Sequence, residues 1–329
     1  VSITDNQLDI YKESVNYLTG YKYLCNEQLA SKLIGLLAYQ QYMQSKGEKV
    51  KVDKAIRPII HRLTNHQNKH QLWSWWGNSE NTSFWMSAHI LRALKMAQDA
   101  GYPVELNLNG LKVEYAHTRP YRGMKLEDIE ILHALHEWKV EADYSSAVRL
   151  LEPFVRQLEQ KEDSLANRNK YYRPLSYLKE KLLLWEIKQQ VDSVNVGDSV
   201  RPYLKKDMLE GVYCDDGRRT YYWEGNQMIN TLIAYRIIKN DPSLCKLKEN
   251  MQLYILRTKE RGWNTYQASS AVATVLTDLL AGSGGMSGTS VSVSGKDHQR
   301  ITEFPYHARL TASDSLLISK TGKEPLLYS

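Results

Sequence analysis

Cys25 and Gln28 stand three residues apart where the apolar pattern predicts that a helix begins. Side chains at positions i and i+3 of a helical turn are neighbours, and the N-terminus of a helix favours a thiolate over a thiol. The Cys25 sulfur could therefore attack the side-chain amide of Gln28, expel ammonia and form an internal thioester. Such a bond stores an electrophile, because an amine or hydroxyl of another molecule can take the Gln28 acyl group and release the Cys25 thiol.

The same spacing leaves a plainer interpretation open. Cys25 is then a small buried hydrophobic residue, and Gln28 is an ordinary surface residue. Spacing alone favours this interpretation, because free cysteines are among the most buried residue types. The other cysteines, Cys214 and Cys245, form no short repeat with Cys25, so the sequence predicts neither a disulfide framework nor a zinc site.

Two other pairs have residue types that perform chemistry in some proteins. His133 and His136 would share a helix face, as metal ligands do, but no third ligand stands at a known spacing. We therefore predict an ordinary histidine pair, and no metal or other cofactor. Asp215 and Asp216 are similar to the paired carboxylates of glycosidases, although a solvated turn explains them more simply.

The elements that must position these residues are helices. From Asn6 to about Leu280, apolar residues recur every three or four positions between short polar stretches. Three predicted helices also share a start pattern of a bulky aromatic, a turn and a polar capping residue: Trp75 to Ser83, Trp223 to Asn226, and Gly262 to Tyr266. Such recurrence indicates stacked helical hairpins. We predict an all-α fold of ten to twelve helices, closed as an α/α toroid of about six hairpins.

The pattern changes after residue 281. Gly and Ser dominate residues 282–288, and the apolar residues that follow alternate with period two. We predict two parts: an α/α toroid over residues 1–281, and a β-rich segment over residues 282–329. The segment is too short to bury a sheet face alone, so we expect it to belong to a larger β-domain. Because the chain begins at Val1 without Met, we also expect it to be part of a longer protein.

Composition excludes several classes of partner. Forty-three Lys and Arg against 37 Asp and Glu give a net charge of +6, scattered over 329 residues. No basic stripe follows a phosphate backbone, so nucleic acid is not an expected partner. The apolar runs are only a few residues long, and we predict no membrane span.

The segment around Cys25 resembles the Cys-x-Glu-Gln thioester signature of the alpha-2-macroglobulin and complement family. Together with Tyr21, the run Tyr23-Leu24-Cys25-Asn26-Glu27-Gln28 is similar to the Tyr-x-Tyr-x-Cys-x-Glu-Gln form of bacterial members. Three further stretches resemble the same family, so the resemblance covers nearly the whole chain: His61 to Glu105, Gly262 to Ala271, and Ile318 to Tyr328.

The resemblance implies an α/α toroid within a split CUB-like β-domain. It also implies that Cys25 supplies the thioester sulfur and Gln28 the acyl carbon, while Tyr23, Asn26 and Glu27 shape the turn. Leu24 replaces a common Gly, and Lys22 a common Pro; we expect Asn26 to compensate by tolerating unusual backbone angles. Complement members use a distant His to favour hydroxyl acceptors. His117, His133 and His136 lie in the right region without a matching motif, so we expect amine acceptors.

By this resemblance the chain is a thioester domain that tethers attacking proteases covalently, and it is not an enzyme. Its other expected partners are the neighbouring domains of the full-length protein, in the periplasm or at the cell surface. Two alternatives stay open. One is a binding or scaffold module of the same family whose thioester does not form. The other is a toroid enzyme that acts on polysaccharide, for which two carboxylates would face each other across an aromatic groove.

Overall fold

The structure is a computed structural model, and it describes most of the helical region together with separate strands near the ends of the chain. The described residues are 2–4, 7–22, 24–45, 47–115, 123–220, 226–278, 290–294, 298–301, 306–307, 317–321 and 327–328. The predicted linker at residues 282–288 lies outside them. The division at residue 281 therefore stays a prediction.

The described residues include twelve α-helices, which confirms the mostly helical prediction. In chain order they are α1 (Gln7–Gly20), α2 (Asn26–Ser45), α3 (Asp53–Asn65), α4 (Phe84–Asp99), α5 (Asn109–Val113), α6 (Asp128–Glu137), α7 (Tyr144–Arg168), α8 (Leu178–Val191), α9 (Gly197–Val200), α10 (Gln227–Ile238), α11 (Cys245–Thr258) and α12 (Thr265–Ala271). A π-helical turn, Val272–Leu276, extends α12.

Six of these helices contact one another in a cycle. α2 packs on α4, α4 on α6, α6 on α8, α8 on α10, α10 on α12, and α12 returns to α2. The remaining long helices pack against this cycle: α1 against α2 and α12, α3 against α2 and α4, α7 against α8, and α11 against α10. The cycle thus brings the N-terminus of α2 beside α12, which is far away in the sequence.

Apolar periodicity explains how each helix is positioned. The buried residues of α3 are Ile56, Ile59, Ile60 and Leu63, a spacing that places all four on one helical face. In contrast, α10 is buried on nearly all sides, as expected for a helix between two layers. One continuous core runs from Val15 to Val275 and includes the fully buried Trp73.

Two of the three predicted helix starts have the expected caps. Asn226 accepts a hydrogen bond from the backbone of Ile229, and Asn264 forms a reciprocal capping box with Gln267. The third helix begins at Phe84, but its N-cap residue Ser83 makes no side-chain cap. The aromatic turn at residues 223–225 lies outside the described part of the chain.

The helical region also contains a β-hairpin that the sequence analysis missed. Strands β2 (Leu204–Lys206) and β3 (Val212–Cys214) pair antiparallel between α9 and α10. Each strand has only three residues, so its alternation is too short to be distinguished from a helical pattern. The hairpin packs against α10 and α11.

Strands also form near both ends of the chain. β4 (Ser290–Ser294) lies between β5 (His298–Ile301) and β7 (Leu317–Thr321), with antiparallel pairing on both sides. β1 (Ser2–Thr4) pairs antiparallel with β6 (Tyr306–His307) and β8 (Leu327–Tyr328). Among the described residues, a strand near the beginning of the chain therefore shares a sheet with a strand near its end.

Candidate functional site

Cys25 and Gln28 meet at the first turn of α2. Cys25 is the residue immediately before the helix, and its carbonyl accepts the first helical hydrogen bond, from Leu29, at 2.9 Å. The Gln28 side chain folds back, and its Oε1 accepts a hydrogen bond from the Cys25 backbone N–H at 3.2 Å. This is half of a capping box, and it holds the Gln28 amide against the residue that bears the thiol.

The thiol itself is buried, with 3% of Cys25 exposed. We expected the helix N-terminus to favour the thiolate, and this expectation is wrong for the structure. Burial raises the pKa of Cys25 above its ordinary value, and the charge of Glu27 adds to the effect. Backbone N–H groups of Gln28 and Glu27 act in the opposite direction but do not prevail. An unreacted Cys25 is therefore a protected thiol.

Asn26 clamps the start of α2 to the loop that precedes α4. Its side-chain Nδ2 donates to the carbonyls of Ser74 and Gly77, at 2.8 and 3.0 Å, and its backbone N–H donates to the Trp75 carbonyl at 3.0 Å. Its Oδ1 lies 2.7 Å from Nδ1 of His66. Asn26 has helical backbone, so the expected tolerance of unusual angles is not used. It is a hydrogen-bonding anchor instead.

The bond between His66 and Asn26 defines the protonation of the imidazole. Both hydrogens of Asn26 Nδ2 are committed to carbonyls, so Oδ1 must accept and His66 Nδ1 must donate. Burial, followed by the charge of Arg62, lowers the pKa of His66. His66 is therefore neutral at pH 7, with its proton on Nδ1.

Glu27 is buried and is surrounded by hydroxyl groups. Ser31 Oγ donates to its carboxylate at 2.7 Å, and Thr265 Oγ1 lies 2.8 and 3.0 Å from its two oxygens. Among the described residues, no cation contacts this carboxylate. Burial consequently raises the pKa of Glu27, although both hydroxyl donors oppose the shift. Because Thr265 begins α12, this contact joins the two ends of the helical cycle.

A buried histidine continues this network into the interior. Nε2 of His89 lies 3.0 Å from Ser31 Oγ, whose proton is already directed at Glu27, so Nε2–H donates to Ser31. Burial, and then the charge of Arg92, lowers the pKa of His89 to about 3. A neutral imidazole thus supports the Glu27 carboxylate through one serine.

Aromatic rings pack edge to face beside the network. His89 contacts Tyr266, Tyr266 contacts Trp85, and Trp85 contacts Trp75, with ring centroids 4.9, 5.2 and 5.7 Å apart. The series ends at a surface where Trp75 is 41% and Trp76 is 64% exposed. The first turn of α2 therefore lies beside an exposed aromatic patch.

Four contributors to this site that the structure describes were missed from the sequence: Ser31, His66, His89 and Thr265. Ser31 lies four positions after Glu27, so helical spacing could have identified it. Thr265 lies in a stretch that resembles the family, yet no local pattern connects it to Glu27, 238 positions away. Tyr23, predicted to shape the turn, lies outside the described residues.

The other candidate residues belong to separate structural clusters. His133 bonds to Glu186 at 2.8 Å and to Arg92 at 3.1 Å, while His136 contacts the Tyr144 ring. In the described part of the chain, neither histidine forms a hydrogen bond with Cys25. That part of the chain contains no group of three or more side chains that could hold a metal ion. His117 lies outside it.

Asp215 and Asp216 have separate partners. Asp215 accepts from Lys205 at 3.1 Å and from Gln227 at 3.2 Å, whereas Asp216 accepts from Ser176 at 2.8 Å. Both residues are half-buried, which corrects the expectation of a solvated turn. Their bonds explain them as links between the hairpin and its neighbours, so they give no support to a glycosidase site.

All three cysteines are free, and their environments differ. Cys214 is buried in β3, where burial and the neighbouring Asp215 and Asp216 raise its pKa to about 12. Cys245 is exposed at the start of α11. An exposed thiol and two buried thiols provide a built-in reference for measuring the reactivity of Cys25.

Comparison with known structures identifies the fold. No protein-family model and no curated protein matches the chain. Solved structures of bacterial alpha-2-macroglobulins do match. One is Salmonella alpha-2-macroglobulin reacted with methylamine, which is 14% identical, covers 99% of this chain and superposes with a TM-score of 0.55. Another is native Escherichia coli alpha-2-macroglobulin, with 14% identity, 99% coverage and a TM-score of 0.56.

A shorter Escherichia coli structure, which runs from domain MG7 to the C-terminus, is 15% identical over 96% of this chain, with a TM-score of 0.58. This chain corresponds to 49% of that structure, and to 21% and 20% of the two longer ones. The chain therefore has a fold found within bacterial alpha-2-macroglobulins and spans about a fifth of their full length. The resemblance to that family is confirmed at the level of the fold. No helix in the described ranges is both long and apolar enough to cross a membrane.

Proposed function

We propose that this chain is the thioester domain of an alpha-2-macroglobulin-like protease inhibitor, and that Cys25 and Gln28 form its reactive bond. One observation carries the proposal: at the first turn of α2, the Cys25 backbone N–H binds the Gln28 side-chain carbonyl at 3.2 Å. That contact holds the amide beside a buried thiol. The contact also caps the helix, so the mass measurement below tests whether the bond forms.

The chemistry has two balanced steps. In the first, the Cys25 sulfur loses its proton and bonds to the side-chain carbonyl carbon of Gln28, whose C–N bond breaks to release ammonia. In the second, an amine of the captured protein bonds to that carbon, the C–S bond breaks, and Cys25 recovers a proton. Each chain reacts once, so the domain is a covalent trap and not an enzyme. Neither step needs a cofactor.

The geometry of the surroundings supports this assignment. Asn26 anchors the turn through four hydrogen bonds, and Glu27 ties it to α12. The exposed Trp75 and Trp76 beside the site suit coverage by a neighbouring domain of the full-length protein, which would shield the thioester from water.

The architecture supports the same proposal. The contact cycle of six helices favours the α/α toroid. The pairing of β1 with β6 and β8 favours a CUB-like β-domain whose strands lie on both sides of the helical region in the sequence. We accordingly propose periplasmic or cell-surface location, and proteases as the targets. The Escherichia coli structures described as activated by trypsin and by porcine elastase are consistent with such targets.

Intact-mass and thiol analysis before and after methylamine tests the proposal. The native protein should weigh one ammonia less than its sequence, and Cys25 should give no thiol signal until methylamine adds at Gln28. Cys25→Ala should have the mass of its sequence and should not react with methylamine. Cys245→Ala is the matched control, because it removes the exposed thiol and should leave the methylamine reaction unchanged.

A different result would favour the scaffold alternative. In that case the native protein has its full mass, Cys25 is a free thiol from the start, and methylamine adds nothing. Cys25→Ala would then retain every binding function of the protein.

A further inference from the structure

A charged cavity lies inside the helical cycle, apart from the first turn of α2. Its volume is about 60 Å³, and residues of α2, α4, α6, α8, α10 and α12 line it. Three cationic side chains and one carboxylate face it: Arg92, Lys179, Arg236 and Glu130. Lys179 and Glu130 pair with each other, so Arg92 and Arg236 are the cations of the lining whose carboxylate partners, Glu137 and Glu186, are not part of it.

The two guanidinium groups keep donors available to the cavity. Arg92 donates from Nε to Glu137 at 2.9 Å and from Nη2 to His133 at 3.1 Å. Arg236 donates from Nε and Nη2 to the carboxylate of Glu186, at 2.8 and 2.7 Å. In the part of the chain that the structure describes, neither Nη1 has a hydrogen-bond partner, and the two side chains remain 20% and 22% exposed.

The two arginines also repel each other. Burial and the charge of Arg92 both lower the pKa of Arg236, while Glu186 raises it and prevails. Their carboxylate partners, Glu137 and Glu186, are not among the residues that line the cavity. An anion placed between the guanidinium groups would relieve this repulsion and would accept from both free Nη1 groups.

The rest of the wall suits a small polar ligand. Apolar side chains such as Ile34, Leu183 and Ile233 lower the local dielectric constant, which strengthens hydrogen bonds to charge. The hydroxyls of Ser270 and Thr274 provide neutral donors. A cavity of this volume accommodates a few waters or one compact ion.

We propose that this cavity binds one small oxyanion or short carboxylate between Arg92 and Arg236, beside the ion pair of Lys179 and Glu130. None of its lining residues is Cys25 or Gln28, whereas His89 and Tyr266 line the cavity and also belong to the network beside the first turn of α2. The site would give the domain a bound anion within its core, which stabilises the folded chain by linkage.

Isothermal titration calorimetry and thermal unfolding with sulfate, phosphate and succinate test the proposal, with chloride at equal ionic strength as reference. Wild-type protein should bind one anion per chain and unfold at a temperature that rises and then saturates. Arg236→Gln should weaken binding by about tenfold or more, as expected when a charge-assisted pair of donors is lost. Arg201→Gln removes an exposed cation from a surface pair and should leave binding unchanged.

Arg236 also supports Glu186, so a second variant is needed that keeps the ion pairs. Ala273→Leu fills the cavity without removing a charge, and it should abolish saturable binding. Anomalous diffraction from crystals grown with selenate should place selenium between the two guanidinium groups. Equal stabilisation by chloride, unchanged binding in Ala273→Leu, or selenium at another place would each overturn the proposal.

Discussion

Glu27 and Glu186 are both buried carboxylates, but they lie in different electrostatic surroundings. Glu27, at the first turn of α2, accepts hydrogen bonds from the hydroxyls of Ser31 and Thr265, and its pKa is raised by burial. Glu186, on α8, is equally buried but accepts from the guanidinium of Arg236 and the imidazole of His133. Although burial opposes it, the charge of Arg236, followed by that of His133, lowers its pKa well below the ordinary range.

Burial alone therefore does not decide the charge state of a carboxylate in this protein. Neutral donors orient Glu27 without fully compensating its desolvation, whereas opposite charge compensates that of Glu186. The reactive segment is thus held by directional hydrogen bonds, and the interior of the helical cycle is held by ion pairs. Three sets of variants test this contrast.

The largest expected effect comes from breaking the ion pairs. Glu186→Gln replaces the carboxylate with an amide whose NH₂ group must face either Arg236 or His133, both of which donate. Removing one partner of a buried ion pair leaves an uncompensated charge, so we expect a loss of about 3–5 kcal/mol in the free energy of unfolding. Urea denaturation measures it.

Glu210→Gln is the control for this variant. Glu210 pairs with Lys206 at 3.0 Å on the surface, where both side chains are mostly exposed. Its loss should be below about 1 kcal/mol. Equal effects of the two variants would contradict the importance of the buried ion pair.

Asn26→Ala removes the hydrogen-bonding anchor of the reactive segment. The change removes the hydrogen bonds of Asn26 to the Ser74 and Gly77 carbonyls and to His66 Nδ1, and we expect a loss of about 2–3 kcal/mol. The yield of thioester in the mass measurement should also fall, because the turn is no longer held in place. Asn65→Ala, at an exposed residue, should change neither quantity. A destabilised Asn26→Ala protein with full thioester yield would show that the anchor supports only the fold.

The smallest effect, and the sharpest contrast, is expected in the pH dependence. The folded-state pKa of Glu27 is raised, so wild-type protein loses stability as pH rises from the unfolded value, 4.5, through the folded value. Glu27→Gln should remove this loss. Its free energy of unfolding should therefore rise relative to that of wild type toward neutral pH, by about 1.4 kcal/mol for each unit by which the pKa is raised. Urea denaturation between pH 4 and pH 8 gives the difference.

The sign reverses for Glu186. Its folded-state pKa is lowered, so its contribution is present above 4.5 and is lost as pH falls below that value. Glu186→Gln should therefore be most destabilising near neutral pH, and its difference from wild type should shrink in acid. A parallel pH profile for the two variants would refute the proposed distinction between the sites.

Local patterns predicted much of the helical architecture. Apolar spacing indicated the helices, and Asn226 and Asn264 marked helix starts because capping depends only on neighbours within one turn. The β2–β3 hairpin was missed because three-residue strands have no usable period. The helix N-terminus suggested a thiolate at Cys25, but burial, which local sequence does not specify, reversed the direction of the shift.

That Cys25 and Gln28 share one helical turn follows from their spacing alone, since residues three apart are neighbours on a helix. The surroundings of that turn depend on tertiary packing. Thr265 lies 238 residues after Glu27, and His89 lies 58 residues after Ser31. Both reach the Glu27 network because packing of the helical cycle places α12 and α4 beside α2. The same packing gathers Arg92, Lys179 and Arg236 around one cavity. Contacts over such separations depend on how the core closes, and no local pattern encodes them.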